Sequence, residues 1–260
     1  MLALTIAATV KIGVFGLFHP AALDVKPAPG HVIVVESNGR RQTLEGSARL
    51  RLQAAARVTG RDGEAGDFIL LVPGKIQREF HGVLQVKPAG RELEAIVEME
   101  RETAVASVVA AEEPAMTPLE ALKAQAIVAR SFLLAARRGH RDFDFCDTTH
   151  CQFLREPQTE GSSAYRATAA TRGLAIFYQG SIVAAMYSAD CGGHTRAYAE
   201  AEGSYPYFGV ECPVKSKSIA GHRVGMCQAG AAAMAKRGAT FREILALYFP
   251  GTAVESMARN

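Results

Sequence analysis

Thr117-Pro118-Leu119-Glu120-Ala121-Leu122-Lys123-Ala124-Gln125-Ala126-Ile127-Val128-Ala129-Arg130-Ser131-Phe132-Leu133-Leu134-Ala135-Ala136-Arg137-Arg138 decides the reading of this chain. Thr117 and Glu120 have capping-box spacing, and Pro118 suits a first helical position. Leu119, Leu122, Ala126, Ala129, Leu133 and Ala136 recur every three or four residues as one apolar stripe. Ile127, Phe132 and Leu134 widen that stripe until the helix is covered on most sides. Arg137 and Arg138 put positive charge at the negative end of the dipole, and Gly139 follows as a C′ residue. The polar exceptions Lys123, Gln125 and Arg130 therefore either lie on one wet face or need partners or a cleft.

Just upstream, Val108-Val109-Ala110-Ala111 runs into Glu112-Glu113-Pro114. Pro114 stops a helix at the residue before it. A carboxyl at a helix C-terminus faces the negative end of the dipole, and an apolar run beside it adds desolvation. Both raise its proton affinity, as a general acid at neutral pH requires. Two solvated glutamates at a frayed end are the other reading of the pair.

Downstream, His140, Cys146, His150 and Cys151 supply two thiols and two imidazoles, a set that suits tetrahedral zinc. The spacing is not that of a zinc finger, and a Cys146–Cys151 disulfide or free thiols also fit it. A four-ligand zinc site would be structural, with no position open to water. The cysteine count is odd, five, with Cys191, Cys212 and Cys227 in Gly-rich surroundings. A disulfide among these three fits an exported chain.

The 260 residues suffice for one large domain or two small ones, and 48% hydrophobic with 21% charged residues is a folded composition. A net charge of +3, with no basic run interleaved with aromatics, gives no nucleic-acid signal. No stretch is long and apolar enough to span a bilayer. Met1 to Thr9 is apolar but lacks a basic start, and reads as a remnant signal segment or as the lead-in to the first strand.

Residues 10–80 read as β-rich. Val10 to Phe15, His31 to Val35, Arg41 to Leu44 after the Asn38-Gly39 hairpin signal, Ala48 to Leu52, Ala56 to Val58, Phe68 to Val72 and Lys75 to Phe80 are the expected strands. Gly82 to Val86 and Leu93 to Val97 continue the pattern. A short helix is expected over Tyr165 to Arg172, then strands Leu174 to Tyr178 and Ile182 to Tyr187 turned by Gln179-Gly180. Ser188-Ala189-Asp190-Cys191-Gly192-Gly193 follows, and its glycines suit either close approach of a ligand or a plain turn. His222 and Gln228 precede a small-residue helix, Ala229 to Arg237, expected to pack on the long one. They either bind a sugar hydroxyl or cap that helix. A capping box at Thr240 and Glu243 opens the last helix, Ile244 to Phe249, before Pro250-Gly251. The fold class is α+β: a helical core around the long Ala-rich helix, packed with a β-rich N-terminal portion.

These segments resemble stage II sporulation protein D and the related amidase-enhancer proteins of bacterial cell walls. The resemblance rests on Val108 to Glu112, Pro118 to Ser131, Cys146 to Gln152, Tyr187 to Thr195 and Gly225-Met226-Cys227-Gln228-Ala229-Gly230-Ala231, in the family's order. It implies a catalytic domain over 81–252, with a tail over 253–260. It also implies an exported lytic transglycosylase of the cell envelope that cleaves peptidoglycan glycan strands, particularly strands stripped of stem peptides. Glu112 would be acid and then base. Lys123, Gln125, Arg130, Tyr187, Ser188, Gly192, Gly193, His222 and Gln228 would contact the glycan. His140, Cys146, His150 and Cys151 would hold a structural zinc ion, and a Cys191–Cys227 bond would brace the cleft. A second expectation from the same resemblance is a non-catalytic wall-binding enhancer of a cell-wall amidase. A zinc hydrolase is a third reading, which the count of four ligands opposes. This chain departs from the family pattern at Glu113, where relatives usually have Met, at Arg223, where they have Gly, and in the short link between Cys212 and His222.

Overall fold

The computed structural model describes residues 9–136, 138–199 and 205–257. Residues 1–8 and Arg137, on which the expected signal segment and part of the helix-closing charge fall, lie outside the described residues.

In chain order the first elements are β1 (Thr9–Val14), β2 (Leu23–Pro27), β3 (Val32–Ser37), β4 (Arg40–Glu45) and β5 (Leu50–Leu52). Next come β6 (Ala56–Gly60), β7 (Gly66–Val72), β8 (Ile76–Ala89), β9 (Glu92–Glu100), α1 (Arg101–Glu112) and α2 (Leu119–Ala135). Then follow β10 (Phe145–Cys146), α3 (Ser163–Ala170), β11 (Leu174–Tyr178), β12 (Ser181–Ile182) and β13 (Tyr187–Ser188). The chain closes with β14 (Met226–Cys227), α4 (Gln228–Lys236), α5 (Phe241–Tyr248) and β15 (Ala253–Ser256). The class is α+β, as expected.

The described residues divide into two compact units. Residues 9–107 with 138–157 form a β unit, and residues 108–136 with those from 158 onward form a helical unit. The division falls inside α1, and not at the boundary expected after residue 80. The strands between residues 81 and 100 complete the same sheet as those before them.

In the β unit the sheet runs β10-β1-β9-β8-β6-β3-β4, with β7, β2 and β5 branching from β8. Every pair is antiparallel except β1 with β10. The two short strands expected over residues 75–86 are one 14-residue strand, β8. Its first half pairs with β7 and its second half with β9. Gly82 marks the changeover, where a Cβ would lie 2.4 Å from the Glu98 carbonyl oxygen, so only glycine lets the strands approach there. Asn38 and Gly39 have φ of 51° and 72°, the left-handed pair that a two-residue hairpin needs. Inside this unit Phe68 stacks on Phe80, which Phe15 meets edge-on. β2 escapes the sequence reading because Leu23-Asp24-Val25-Lys26-Pro27 ends in proline and carries two charges. Asp24 is nonetheless buried, paired with Arg49.

α2 is the axis of the helical unit. Twelve of its residues are buried, including Gln125, Arg130 and Ser131, which explains why its periodicity spreads beyond one stripe. α3, α4, α5 and β11 pack on it. Small residues on α2 and α4 allow that approach, with Tyr205, Tyr207, Ile244, Tyr248 and Phe249 filling the space beyond.

The helix ends differ from expectation. α2 has Pro118, which carries no side-chain acceptor, as its N-cap; Thr117 lies one residue outside it, and its hydroxyl donates to Glu113 Oε2 at 3.2 Å. Glu120, the other half of the expected box, pairs with Lys123 and accepts the Phe241 N–H at 2.8 Å. Burial works to raise the Glu120 carboxyl, but Lys123 and that N–H outweigh it and hold the group below its ordinary range. The helix stops at Ala135, with Ala136 extended, so Gly139 lies beyond it and is not its C′ residue. By contrast the box at Thr240 and Glu243 is formed. The strand expected over Ile182 to Tyr187 breaks in two, since β12 pairs with β11 while β13 changes partner to β14. β15, unread in the sequence, completes the β11 edge.

Candidate functional site

α1 buries Val105, Val108 and Val109 and stops at Glu112, as Pro114 dictates. This delivers both glutamates to one corner of the helical unit. Glu112 is half-buried, and the Tyr187 phenol lies against its carboxylate as a hydrogen-bond donor. Burial, then the Glu112 charge, raises the Tyr187 phenol well above its ordinary value, so it remains a donor. Gln228 Nε2, at the start of α4, donates to the Glu112 carbonyl oxygen at 3.1 Å. The four residues Glu112, Glu113, Tyr187 and Gln228 therefore converge, although they lie up to 116 positions apart in the chain.

Glu113 is the deeper carboxyl, at 8% exposure. Burial pushes it up to about 7; the Thr117 hydroxyl and the Gln228 amide oppose that rise, and the Glu112 charge adds to it. The sequence reading placed the raised carboxyl at 112. The structure gives burial, and with it the carboxyl pushed up to about 7, to its neighbour, and partial exposure to Glu112.

The other expected glycan contacts sort by burial. Ser188 is buried on β13, its Oγ without a protein partner among the described residues. β13 pairs in parallel with β14, Ser188 opposite Cys227, so Ser188 and Gln228 leave adjacent strands. His222 Nδ1 accepts the Val224 N–H at 3.0 Å. Arg223, where relatives have glycine, holds φ at 67° and donates to the His194 carbonyl at 2.8 Å. That left-handed φ is a conformation glycine adopts freely. Gly192 and Gly193 also have positive φ, 72° and 110°, and a Cβ on Gly192 would lie 2.8 Å from Ile219. Both glycines thus sit close against the 212–222 segment, at Ile219 and Lys215.

Three expected contacts belong to the scaffold. Arg130 is fully buried and donates to the carbonyls of Leu174 at 3.1 Å and Thr168 at 3.3 Å, joining α2 to β11 and α3. Ser131 beside it accepts the Ile176 N–H at 2.9 Å. Gln125 is fully buried within the helix, both its amide atoms without a partner among the described residues. Lys123 is tied to Glu120 at 2.6 Å. An Arg130→Met variant should therefore lose about 1–3 kcal/mol of stability in urea unfolding, with unaltered glycan affinity.

In the β unit, His140, Cys146, His150 and Cys151 converge, their ligand atoms all within 4.8 Å of one another. Cys151 Sγ lies 3.3 Å from His140 Nε2 and 3.4 Å from His150 Nδ1. Burial, then the neighbouring His150 and Arg138, holds His140 below its ordinary value, which favours the neutral ligating form. β10 hangs this loop on β1, with Gly13 opposite Cys146. Asp147 fixes it further: its Oδ2 accepts from Arg78 Nη1 at 2.9 Å and from the Phe15 N–H at 3.3 Å. Phe143 stacks on His140, ring centres 4.4 Å apart, and fills the space over Gly13. A Cβ on Gly13 would lie 2.6 Å from that ring. Gly13→Ala should displace Phe143, cost about 1–2 kcal/mol, and weaken metal affinity roughly tenfold in a chelator competition.

The helical unit thus holds paired carboxyls at a helix end, and the β unit holds a four-residue Cys/His cluster. Residues 89–178, about a third of the chain, match the family model described as Stage II sporulation protein, SpoIID, so that stretch is similar to a SpoIID domain. The family is associated with the cell wall and with peptidoglycan-related activity. The matched stretch contains both glutamates, α2, the Cys/His cluster and β11, and ends before Ser188, His222 and Gln228. An uncharacterized protein of Brachyspira hyodysenteriae is 32% identical over 135 residues, which are 50% of this chain and 37% of that protein. The chain thus covers well under half of that relative's length. Among the described residues no helix is long and apolar enough to cross a membrane.

Proposed function

We propose that this protein is an exported lytic transglycosylase of peptidoglycan glycan strands, with Glu112 as its single acid and base. The observation that carries the reading is the corner formed by Glu112, Tyr187, Gln228 and the buried Glu113. Glu112 protonates the glycosidic oxygen between N-acetylmuramic acid and N-acetylglucosamine as the C1–oxygen bond breaks. The Glu112 carboxylate then takes the proton of the muramic C6 hydroxyl, whose oxygen bonds C1 and closes a 1,6-anhydro ring. The sugar supplies its own nucleophile, so no second carboxylate need activate water, unlike in inverting glycosidases. Tyr187 and Gln228 hold Glu112 by side chain and carbonyl. Glu113, when ionised, repels a negative charge at 112 and favours the protonated acid there.

The two thiols and two imidazoles of the β unit fit a tetrahedral zinc ion in chemistry and spacing. Bound there, zinc would cross-link the 140–151 loop and take no part in proton transfer. Elemental analysis should find one zinc per chain at this cluster, lost in Cys146→Ser.

The test of function is incubation of the purified protein with denuded glycan strands and mass spectrometry of the products. Anhydro-muramyl ends are expected. Strand binding without new ends, together with stimulation of a cell-wall amidase in a mixed assay, would instead make the protein an enhancer.

A further inference from the structure

The helical unit contains a second cluster that the proposed chemistry does not use. Cys191, Cys212 and Cys227 come from three separate segments, and their sulfurs lie within 4.8 Å of one another. All three side chains are buried, at 0%, 1% and 0% exposure, and all are free thiols. We propose that these three sulfurs form a closed trigonal site for Cu(I), a soft, singly charged metal ion.

The geometry suits a metal. Three sulfurs at about 2.3 Å from a central ion stand roughly 4 Å apart, inside the separation found here. Backbone donors also surround each sulfur. Cys227 Sγ accepts the N–H groups of Cys191 and Gly230, both at 3.4 Å. Cys191 Sγ accepts from Gly193, two residues on, and Cys212 Sγ from Val214, again two residues on. Repeated N–H donation to cysteine sulfur stabilises thiolates where no solvent can do so, and is how proteins hold and tune metal-bound sulfur. Tyr248 adds a phenol 3.2 Å from Cys212 Sγ. Gly230 makes room for this pair, since a Cβ there would lie 2.5 Å from the Cys212 sulfur.

The donor set selects the ion. Three thiolates with no water access are soft and leave no open position, so the site is structural. Zinc prefers a fourth ligand, and no histidine or carboxylate joins this trio among the described residues. The bound ion would join the Cys191 and Cys212 loops to the first residue before α4. It would thereby brace the β13–β14 pair, from which Ser188 and Gln228 emerge.

The experiment is an anaerobic titration of the full reduced chain with Cu(I) buffered by a competing chelator, read by thiolate-to-metal absorption and by native mass spectrometry. It is repeated in a Cys146→Ser/Cys151→Ser background, to silence the Cys/His cluster, and on the otherwise wild-type chain with zinc present there. One Cu(I) should bind in both, and in zinc-loaded chains carrying Cys191→Ser, Cys212→Ser or Cys227→Ser it should not. Tyr248→Phe should weaken it roughly tenfold. Circular dichroism on each Ser variant separates lost binding from lost folding, and alkylation supplies a second readout on the wild-type chain: bound Cu(I) should protect three thiols. The proposal is overturned if no Cu(I) binds beyond that held by Cys146 and Cys151, or if Zn(II) is taken up by the trio in preference. A Cys191–Cys227 disulfide that persists under the same reducing conditions and leaves no metal bound would overturn it equally.

Discussion

Glu112→Gln should lower the yield of anhydro-muramyl ends by at least about a hundredfold, the low end of what a positioned acid–base group contributes. The variant keeps the carbonyl that Gln228 binds and an oxygen for Tyr187, so strand binding should survive. Full activity in Glu112→Gln with loss in Glu113→Gln would move the acid by one residue, and the deeper burial of Glu113 makes that comparison the necessary control. If Glu112 is the acid, Glu113→Gln should stay active with a changed pH profile. Removing a negative neighbour lowers the proton affinity of Glu112, so the alkaline limb, where the acid loses its proton, should move to lower pH.

Glu113→Gln should also stabilise the protein at alkaline pH by about 3 kcal/mol. The wild-type carboxyl rises from 4.5 to about 7 on folding, chiefly through burial. The folded chain therefore binds the proton more tightly than the unfolded one. Wild-type stability is greatest below the unfolded value, falls as pH rises from about 4.5 to about 7, and stays low above that. A shift of that size corresponds to about 3 kcal/mol. Glutamine cannot ionise, so its advantage over wild type should be near zero at pH about 4 and complete at pH about 8. Urea unfolding of both proteins at the two pH values measures it, and equal behaviour at high pH would mean that Glu113 is solvated.

Much of this architecture was legible because local rules and tertiary packing agree. Val108 and Val109 leading into Glu112-Glu113-Pro114 specify a buried helix with an abrupt end, and α1 has one. The Cys/His run is legible as a cluster because its members are chemically distinctive and close in sequence. Arg130 and Gln125 mislead for a physical reason. A polar residue on a covered helix needs a partner, and the sequence does not say whether that partner is a substrate or the protein's own carbonyls. For Arg130 it is the carbonyls of Leu174 and Thr168. The sequence leaves the burial of Glu113 open. Its burial depends on Thr117 and Gln228, and the latter lies far down the chain. The Cys191, Cys212 and Cys227 trio was visible only as a shared Gly-rich setting, since loops of different length bring the sulfurs together.

Thr117 ties acidity to backbone order. Its hydroxyl donates to the Glu113 carboxyl and so ties the entry of α2, which begins at Pro118 with no side-chain acceptor, to the end of α1. Replacing Glu113 by alanine removes the acceptor that anchors Thr117 at the entry to that helix. Amide hydrogens early in its first turn should then exchange with solvent faster, so the fraying of one helix end reports on a carboxyl at the end of the preceding helix.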